Sequence, residues 1–196
     1  MSQTAGLLSG ARQVSSPNVD ERPPHEAVTL AVLHAISLPP EEFGGDAVER
    51  FFTNCLDCDA HPYFAQLREL RVSSHLFIRR DGEVVQFAPL QARAWHAGVS
   101  RWRGRERCND FSVGIELEGS DQQPFSDAQY QRLAECLAEL VARLPIADIA
   151  GHADIAPGRK TDPGPHFDWA RLQRELAAHL GQARAAALLA ERAACA

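Results

Sequence analysis

The stretch from Gly151 to Pro165 concentrates groups that can do chemistry. His152, Asp154, Lys160 and Asp162 stand there among three prolines and three glycines. Imidazole and carboxylate are metal ligands, and an ammonium group can stabilise a developing negative charge. The prolines and glycines fix or permit unusual backbone angles, so the loop is expected to be shaped rather than floppy. Pro145 to Ala150 before it reads as a short strand, and Asp168-Trp169-Ala170-Arg171 after it reads as a helix start. Functional groups held in a loop between rigid elements are how many sites are made. Taken alone, the same composition also describes an ordinary polar surface turn.

Other chemically capable residues are scattered along the chain. His34 follows the apolar, partly β-branched run Val28 to Leu33, which fits a strand buried on both faces with His34 at its C-terminal end. A lone histidine there is also an ordinary buried residue. Phe111 to Glu118 reads as another strand, in which period 2 puts Ile115 and Leu117 on one face and Glu116 and Glu118 on the other. Periodicity cannot choose between the two glutamates. Cys55-Leu56-Asp57-Cys58 with His61 has the look of a metal or redox motif. No second Cys/His pair completes the four ligands that a closed zinc site needs, so no metal is expected there. Arg101 to Arg107 is basic with one tryptophan and reads as a solvated loop or as a grip for carboxylates.

The elements that must position these groups can be read in outline. Residues 1–26 show no helical or strand period and read as an irregular N-terminal arm. Residues 27–181 form the main domain, and residues 182–196 an alanine-rich extension with little to bury. Asp46 is a plausible N-cap for a short helix through Phe52. Asp81-Gly82, between the apolar runs around Phe77 and Val85, predicts a hairpin with a type I′ turn. Trp95-His96-Ala97-Gly98 falls in a loop. Ser126 and Gln129 make a capping box for a long helix that Pro145 stops, and a further helix runs from Asp168 to Gly181.

The chain has 196 residues and a net charge of −6, which argues for one domain and against general nucleic-acid binding. The N-terminus has no basic region followed by an apolar run, and no apolar stretch approaches the length needed to span a bilayer. The five cysteines are an odd number in a chain large enough to fold without disulfides. Free thiols at Cys55, Cys58, Cys108, Cys136 and Cys195, and a cytoplasmic location, are the expectation. Nothing in the sequence calls for an obligate protein partner.

A catalytic zinc takes three protein ligands and keeps a fourth position open. His34, His152 and Asp162 could supply them, although spacing alone does not prove it. Here many short motifs in one order carry a resemblance: Val32-Leu33-His34, Ile36-Ser37-Leu38-Pro39-Pro40, His61-Pro62-Tyr63-Phe64, Ala94-Trp95-His96-Ala97-Gly98, Cys108-Asn109-Asp110-Phe111-Ser112, Gly114-Ile115-Glu116-Leu117-Glu118-Gly119 and Ile155 to Gly164. The chain resembles the AmpD family, cytosolic zinc amidases that cleave anhydromuramyl peptides during cell-wall recycling, within the amidase group of T7-type lysozyme and the peptidoglycan recognition proteins.

The resemblance implies an α/β fold: one domain with a central mixed sheet flanked by helices and one Zn²⁺ at a sheet edge. It implies metal ligands at His34, His152 and Asp162, a catalytic glutamate at Glu116 and a catalytic lysine at Lys160. Tyr63, Arg71, Trp95 and Arg107 match positions associated with substrate contacts. The partner it implies is an anhydromuramyl peptide, with no nucleic acid and no membrane. One departure stands out: Ala35 follows the first ligand histidine, where family members usually carry Asn. Ala153, where Cys is common, is a milder change. Two rival readings are a non-catalytic muropeptide sensor, which has no need of all four of His34, His152, Asp162 and Glu116, and a secreted amidase acting on intact wall, against which the missing leader argues.

Overall fold

A computed structural model describes residues 6–194 of the chain. Its strands and helices are, in order, β1 (Arg12–Gln13), β2 (Val19–Glu21), β3 (Leu30–Ile36), α1 (Ala47–Phe52), β4 (Leu76–Ile78), β5 (Val84–Gln86), β6 (Ala92–Ala94), β7 (Arg101–Trp102), β8 (Arg105–Glu106), β9 (Ser112–Glu118), α2 (Asp127–Arg143), β10 (Asp148–Gly151), α3 (His152–Ile155), α4 (Trp169–Leu180) and α5 (Gln182–Ala194). Six strands form one mixed sheet in the order β1-β5-β4-β9-β3-β10. All its pairings are parallel except the β4–β5 hairpin.

The central strands are apolar on both faces because both are covered. Ala31 and Leu33 of β3 and Val113, Ile115 and Leu117 of β9 pack with Leu133, Leu137 and Leu140 of α2 and Leu172 and Leu176 of α4. On the opposite face, Phe51 and Phe52 of α1 pack with Phe77 and Val85, while Leu30 and Val32 pack with Trp102, Phe111 and Ile155. Even-numbered residues of β3 and β9 face this second side, which is where the site lies. The predicted caps at Ser126, with Gln129 completing the box, and at Asp168, with Gly181 ending α4, are all present.

Several expectations need correction. The N-terminal arm is not irregular throughout: β1 is the edge strand of the main sheet and β2 pairs with β6. The C-terminal extension does bury a face, because Ala185, Leu188 and Leu189 of α5 join the main core. Asp46 makes no capping bond; its carboxylate instead pairs with Arg50 at 2.7 Å. His34 is not the end of its strand, since β3 runs on to Ile36. The turn at Asp81-Gly82 is not type I′, which requires two central residues at positive φ. Only Gly82 has it, and Gly82 N–H donates to Arg79 O, so the loop has three residues with a glycine at its last position. The two-residue turn with both φ positive is Arg103-Gly104, which makes the basic segment a small hairpin of β7 and β8 rather than a loop.

Cys55, Cys58, Cys108 and Cys136 are free thiols, and Cys195 lies outside the described residues. His61 accepts a hydrogen bond from Tyr63 N–H at 3.1 Å and caps the 3₁₀ turn Pro62–Leu67, a structural use of a residue that sits near the cysteine pair.

Candidate active site

The strand pairing brings the first two groups together. His34 of β3 and Glu116 of β9 are register partners across a parallel ladder, and Phe77 of β4 flanks Glu116 on its other side. The edge strand β10 pairs with β3 so that Gly151 lies beside Leu33, which puts His152, the next residue, beside His34. The chain then makes the single turn of α3. Asp154 accepts from Gly151 N–H at 2.7 Å, so the first aspartate of this loop is a cap, and Ala153 N–H donates to Asp162 O at 2.9 Å to bring the loop back.

Three donor atoms converge as a result. His34 Nδ1 and His152 Nδ1 are 2.9 Å apart, and Asp162 Oδ2 is 3.1 Å from the first and 3.0 Å from the second. A tetrahedral ion with bonds of about 2.0–2.2 Å has ligand atoms about 3.3–3.5 Å apart. Two imidazoles and a carboxylate at this spacing fit a divalent cation with a position left for a further ligand, and among the described residues they are the group that could hold a metal. The outer nitrogens are also engaged: His152 Nε2 is 3.1 Å from Ala97 O, and His34 Nε2 is 3.0 Å from His96 Nδ1.

The surroundings set the protonation of the cluster. Burial disfavours the charged imidazolium of His34 and lowers its pKa to about 4, against the pull of the Asp162 hydrogen bond. For Asp162, burial works to raise the pKa, but hydrogen bonds from His152 and His34 outweigh it and hold the carboxyl below the usual range. Glu116 is shifted well upward, first by burial and then by repulsion from Asp162, with Lys160 opposing. A carboxyl group of raised pKa beside such a donor cluster is suited to general acid–base work.

The two glutamates of β9 part company here. Glu118 accepts from the backbone N–H groups of Gly44 and Arg80, so it ties two loops together. Glu116 Oε2 is buried with no hydrogen-bond partner. Glu116, the three donor residues and Lys160 all line one cavity of about 480 Å³, whose far wall carries Phe51, Phe52, Tyr63 and Leu67. Lys160 is exposed at its rim, and Ala35 borders the cavity while its side chain packs against the core on the helix-covered face of the sheet.

The remaining candidates lie elsewhere. Arg71 donates to the carbonyls of Arg68 and Leu70 in its own segment and borders a small separate pocket. Arg107 is exposed, pairs with Asp110 at 3.1 Å, and lines a second cavity with Val99, Pro157 and Arg159. Trp95 is half-buried just before His96 and is not among the lining residues of the main cavity.

Sequence reading passed over His96, which touches His34, and over Asn109 and Ser112, which hold His96 in place. The signal was Gly114, a glycine inside a central strand, which marks a close approach of another group. A Cβ there would lie 2.4 Å from His96 Cγ.

Residues 24–165 match the family model of the N-acetylmuramoyl-L-alanine amidases. The chain belongs to this amidase family. The amidase is 58% identical over 170 residues to the 1,6-anhydro-N-acetylmuramyl-L-alanine amidase AmpD of Escherichia coli strain K12, covering 86% of this chain and 93% of that one. It is 51% identical over 169 residues to the AmpD of Haemophilus influenzae, covering 85% and 92%. A crystal structure of an AmpD selenomethionine derivative superposes with a TM-score of 0.86 at 56% identity, over 90% of this amidase and 99% of that chain. The expected α/β architecture is therefore the one observed, and the sensor reading gives way to an enzyme.

Proposed function

We propose that this amidase is a zinc enzyme that hydrolyses the amide between the muramyl lactyl group and L-alanine in 1,6-anhydromuramyl peptides, in cytosolic recycling of cell-wall fragments. The observation that carries the chemistry is the pairing of a three-donor cluster with the unpartnered Glu116 Oε2 in one cavity. The substrate class rests on the likeness to the AmpD proteins, and on AmiD from E. coli, 31% identical, whose structure holds anhydro-N-acetylmuramic acid-L-Ala-D-gamma-Glu-L-Lys.

His34, His152 and Asp162 would hold the ion. Zinc supplies Lewis-acid polarisation of the scissile carbonyl and acidifies water near neutral pH. Glu116 takes a proton from the attacking water at Oε2 and delivers it to the departing nitrogen of L-alanine. Lys160, at the rim, stabilises negative charge on the former carbonyl oxygen. Tyr63 and the apolar wall contact the substrate and keep bulk water away. Arg71 and Arg107 are cations for the carboxylates of the peptide, needed because an acidic protein cannot attract an acidic ligand by net charge. Trp95 offers an apolar face to the sugar. No helix among the described residues is long and apolar enough to cross a membrane.

The test is mass spectrometry of a purified anhydromuramyl tripeptide incubated with the zinc-loaded protein. Release of free tripeptide is expected, and an intact substrate overturns the reading. Equal kcat/KM on anhydro and non-anhydro substrates would keep the amidase chemistry and remove the recycling role.

A further inference from the structure

Two consecutive loop residues serve the outer nitrogens of both ligand histidines. His96 Nδ1 lies 3.0 Å from His34 Nε2, and the Ala97 carbonyl lies 3.1 Å from His152 Nε2. Asn109 Oδ1 accepts from the backbone N–H groups of both His96, at 3.2 Å, and Ala97, at 2.8 Å, and so fixes this pair against the sheet. The His96 ring lies over Gly114, where any Cβ would displace it, and meets His34 edge-on at 5.0 Å between centroids. Beyond it, His96 Nε2 is 3.2 Å from Ser112 Oγ, and the Ser112 hydroxyl donates to Cys108 O at 2.6 Å.

With His34 Nδ1 left unprotonated, as a metal ligand must be, the outer hydrogen bonds can be satisfied in one sense only. A His34 that turns its Nδ1 lone pair toward the donor cluster carries its proton on Nε2 and gives it to His96 Nδ1. His96 then carries its proton on Nε2 and gives it to Ser112 Oγ, whose own proton is committed to Cys108 O. Every donor has one acceptor, and the chain ends on a backbone carbonyl that cannot reverse it. The same strand face of β9 therefore reads Ser112 as the anchor, Gly114 as the seat of the ring and Glu116 as the base.

We infer that His96, seated on Gly114 and anchored by Ser112, is a positioning residue that fixes the tautomer and ring orientation of His34 and so sets the metal affinity of the site. The inference rests on the assignment of His34, His152 and Asp162 as the metal ligands. Outer partners of ligand histidines typically contribute about 10–100-fold in metal affinity.

The test is zinc affinity, measured by competition with a chromophoric chelator, on the wild type, His96→Leu and His96→Asn. Asparagine can place Oδ1 where Nδ1 now accepts. The expected result is a 10- to 100-fold weaker affinity for His96→Leu, with most of the loss recovered in His96→Asn. Long-range ¹⁵N–¹H spectra of the zinc-loaded wild type should show His34 protonated at Nε2 and His96 protonated at Nε2. Wild-type affinity within threefold in His96→Leu, or a His34 protonated at Nδ1, overturns the inference. If His96→Leu does not fold, the wild-type spectra decide. Failure of the wild type to bind zinc at all would instead sink the ligand assignment.

Discussion

His34 and Glu116 stand opposite each other across the parallel ladder of β3 and β9. Their separation is thereby set by main-chain hydrogen bonds between neighbouring strands, about 4.8 Å apart, rather than by a loop. A slip of one residue would turn one of the two side chains into the helix-packed core, so the apolar pattern that fixes the register also fixes the pair.

Removing a ligand should empty the site. His152→Ala and Asp162→Ala are expected to lose zinc or bind it far more weakly, as read by elemental analysis after gel filtration. A full equivalent of zinc in both variants would rule out the assigned cluster.

The two glutamates should separate cleanly. Glu116→Gln is expected to keep its fold and zinc while losing about 10²- to 10⁴-fold in turnover, since an amide cannot take the water proton. Glu118→Gln sets an amide NH₂ against the N–H groups of Gly44 and Arg80 and is expected to cost about 1–3 kcal/mol of stability. Kinetics and denaturant melts on both variants check this. The reverse pattern would transfer the catalytic role to Glu118.

The metal-free protein should be acid-labile from near pH 6.5. Burial lowers His34 to about 4 and His75 to about 3 from an ordinary value of 6.5. Between those values the unfolded chain takes up protons that the folded one refuses, so stability is lost as pH falls below 6.5. Glu116 has the opposite sign. Its folded pKa is raised above 4.5, so stability falls as pH rises through that value, and Glu116→Gln should stabilise the metal-free protein at pH 7 but not at pH 4. Thermal melts across pH 4–8 measure both effects; a flat profile for the wild type would contradict the neutral buried imidazoles.

The C-terminal helix should matter for stability but not for chemistry. Leu188 is 1% exposed, and Leu188→Ala is expected to cost about 2–5 kcal/mol while leaving kcat/KM unchanged at 25 °C. A loss below about 0.5 kcal/mol, the scale of ordinary surface changes, would show that α5 is dispensable.

Peptide recognition should fall on the exposed cations. Arg71→Ala and Arg107→Ala are expected to raise KM for a tripeptide substrate more than for one bearing L-alanine alone, which has fewer carboxylates. Steady-state kinetics on the two substrates decides it, and equal effects would remove these arginines from peptide binding.

The loop from Gly151 to Pro165 was legible because its ligand types, prolines and glycines are local signals. The α2 and α4 caps were legible for the same reason. The choice between Glu116 and Glu118 was not, since both share one face of β9. They differ only in what the loops at Gly44 and Arg80 bring to Glu118. β1 and β2 escaped notice because two or three residues are too few to show a period. The buried face of α5 was hidden among alanines, where Ala185, Leu188 and Leu189 are spaced as a helix stripe but offer little bulk.

The strand order also governs when the enzyme can exist. β3 is flanked by β9 and β10, both made much later in synthesis. A nascent chain leaving the ribosome therefore carries the all-buried run Leu30 to Leu33 with both edges bare until β9 has emerged, and with one edge bare until β10 has. A fragment ending before Asp148 holds His34 and Glu116 but neither His152 nor Asp162, and it carries an open, sticky edge on β3. The three-donor cluster is complete only once Asp162 has been made.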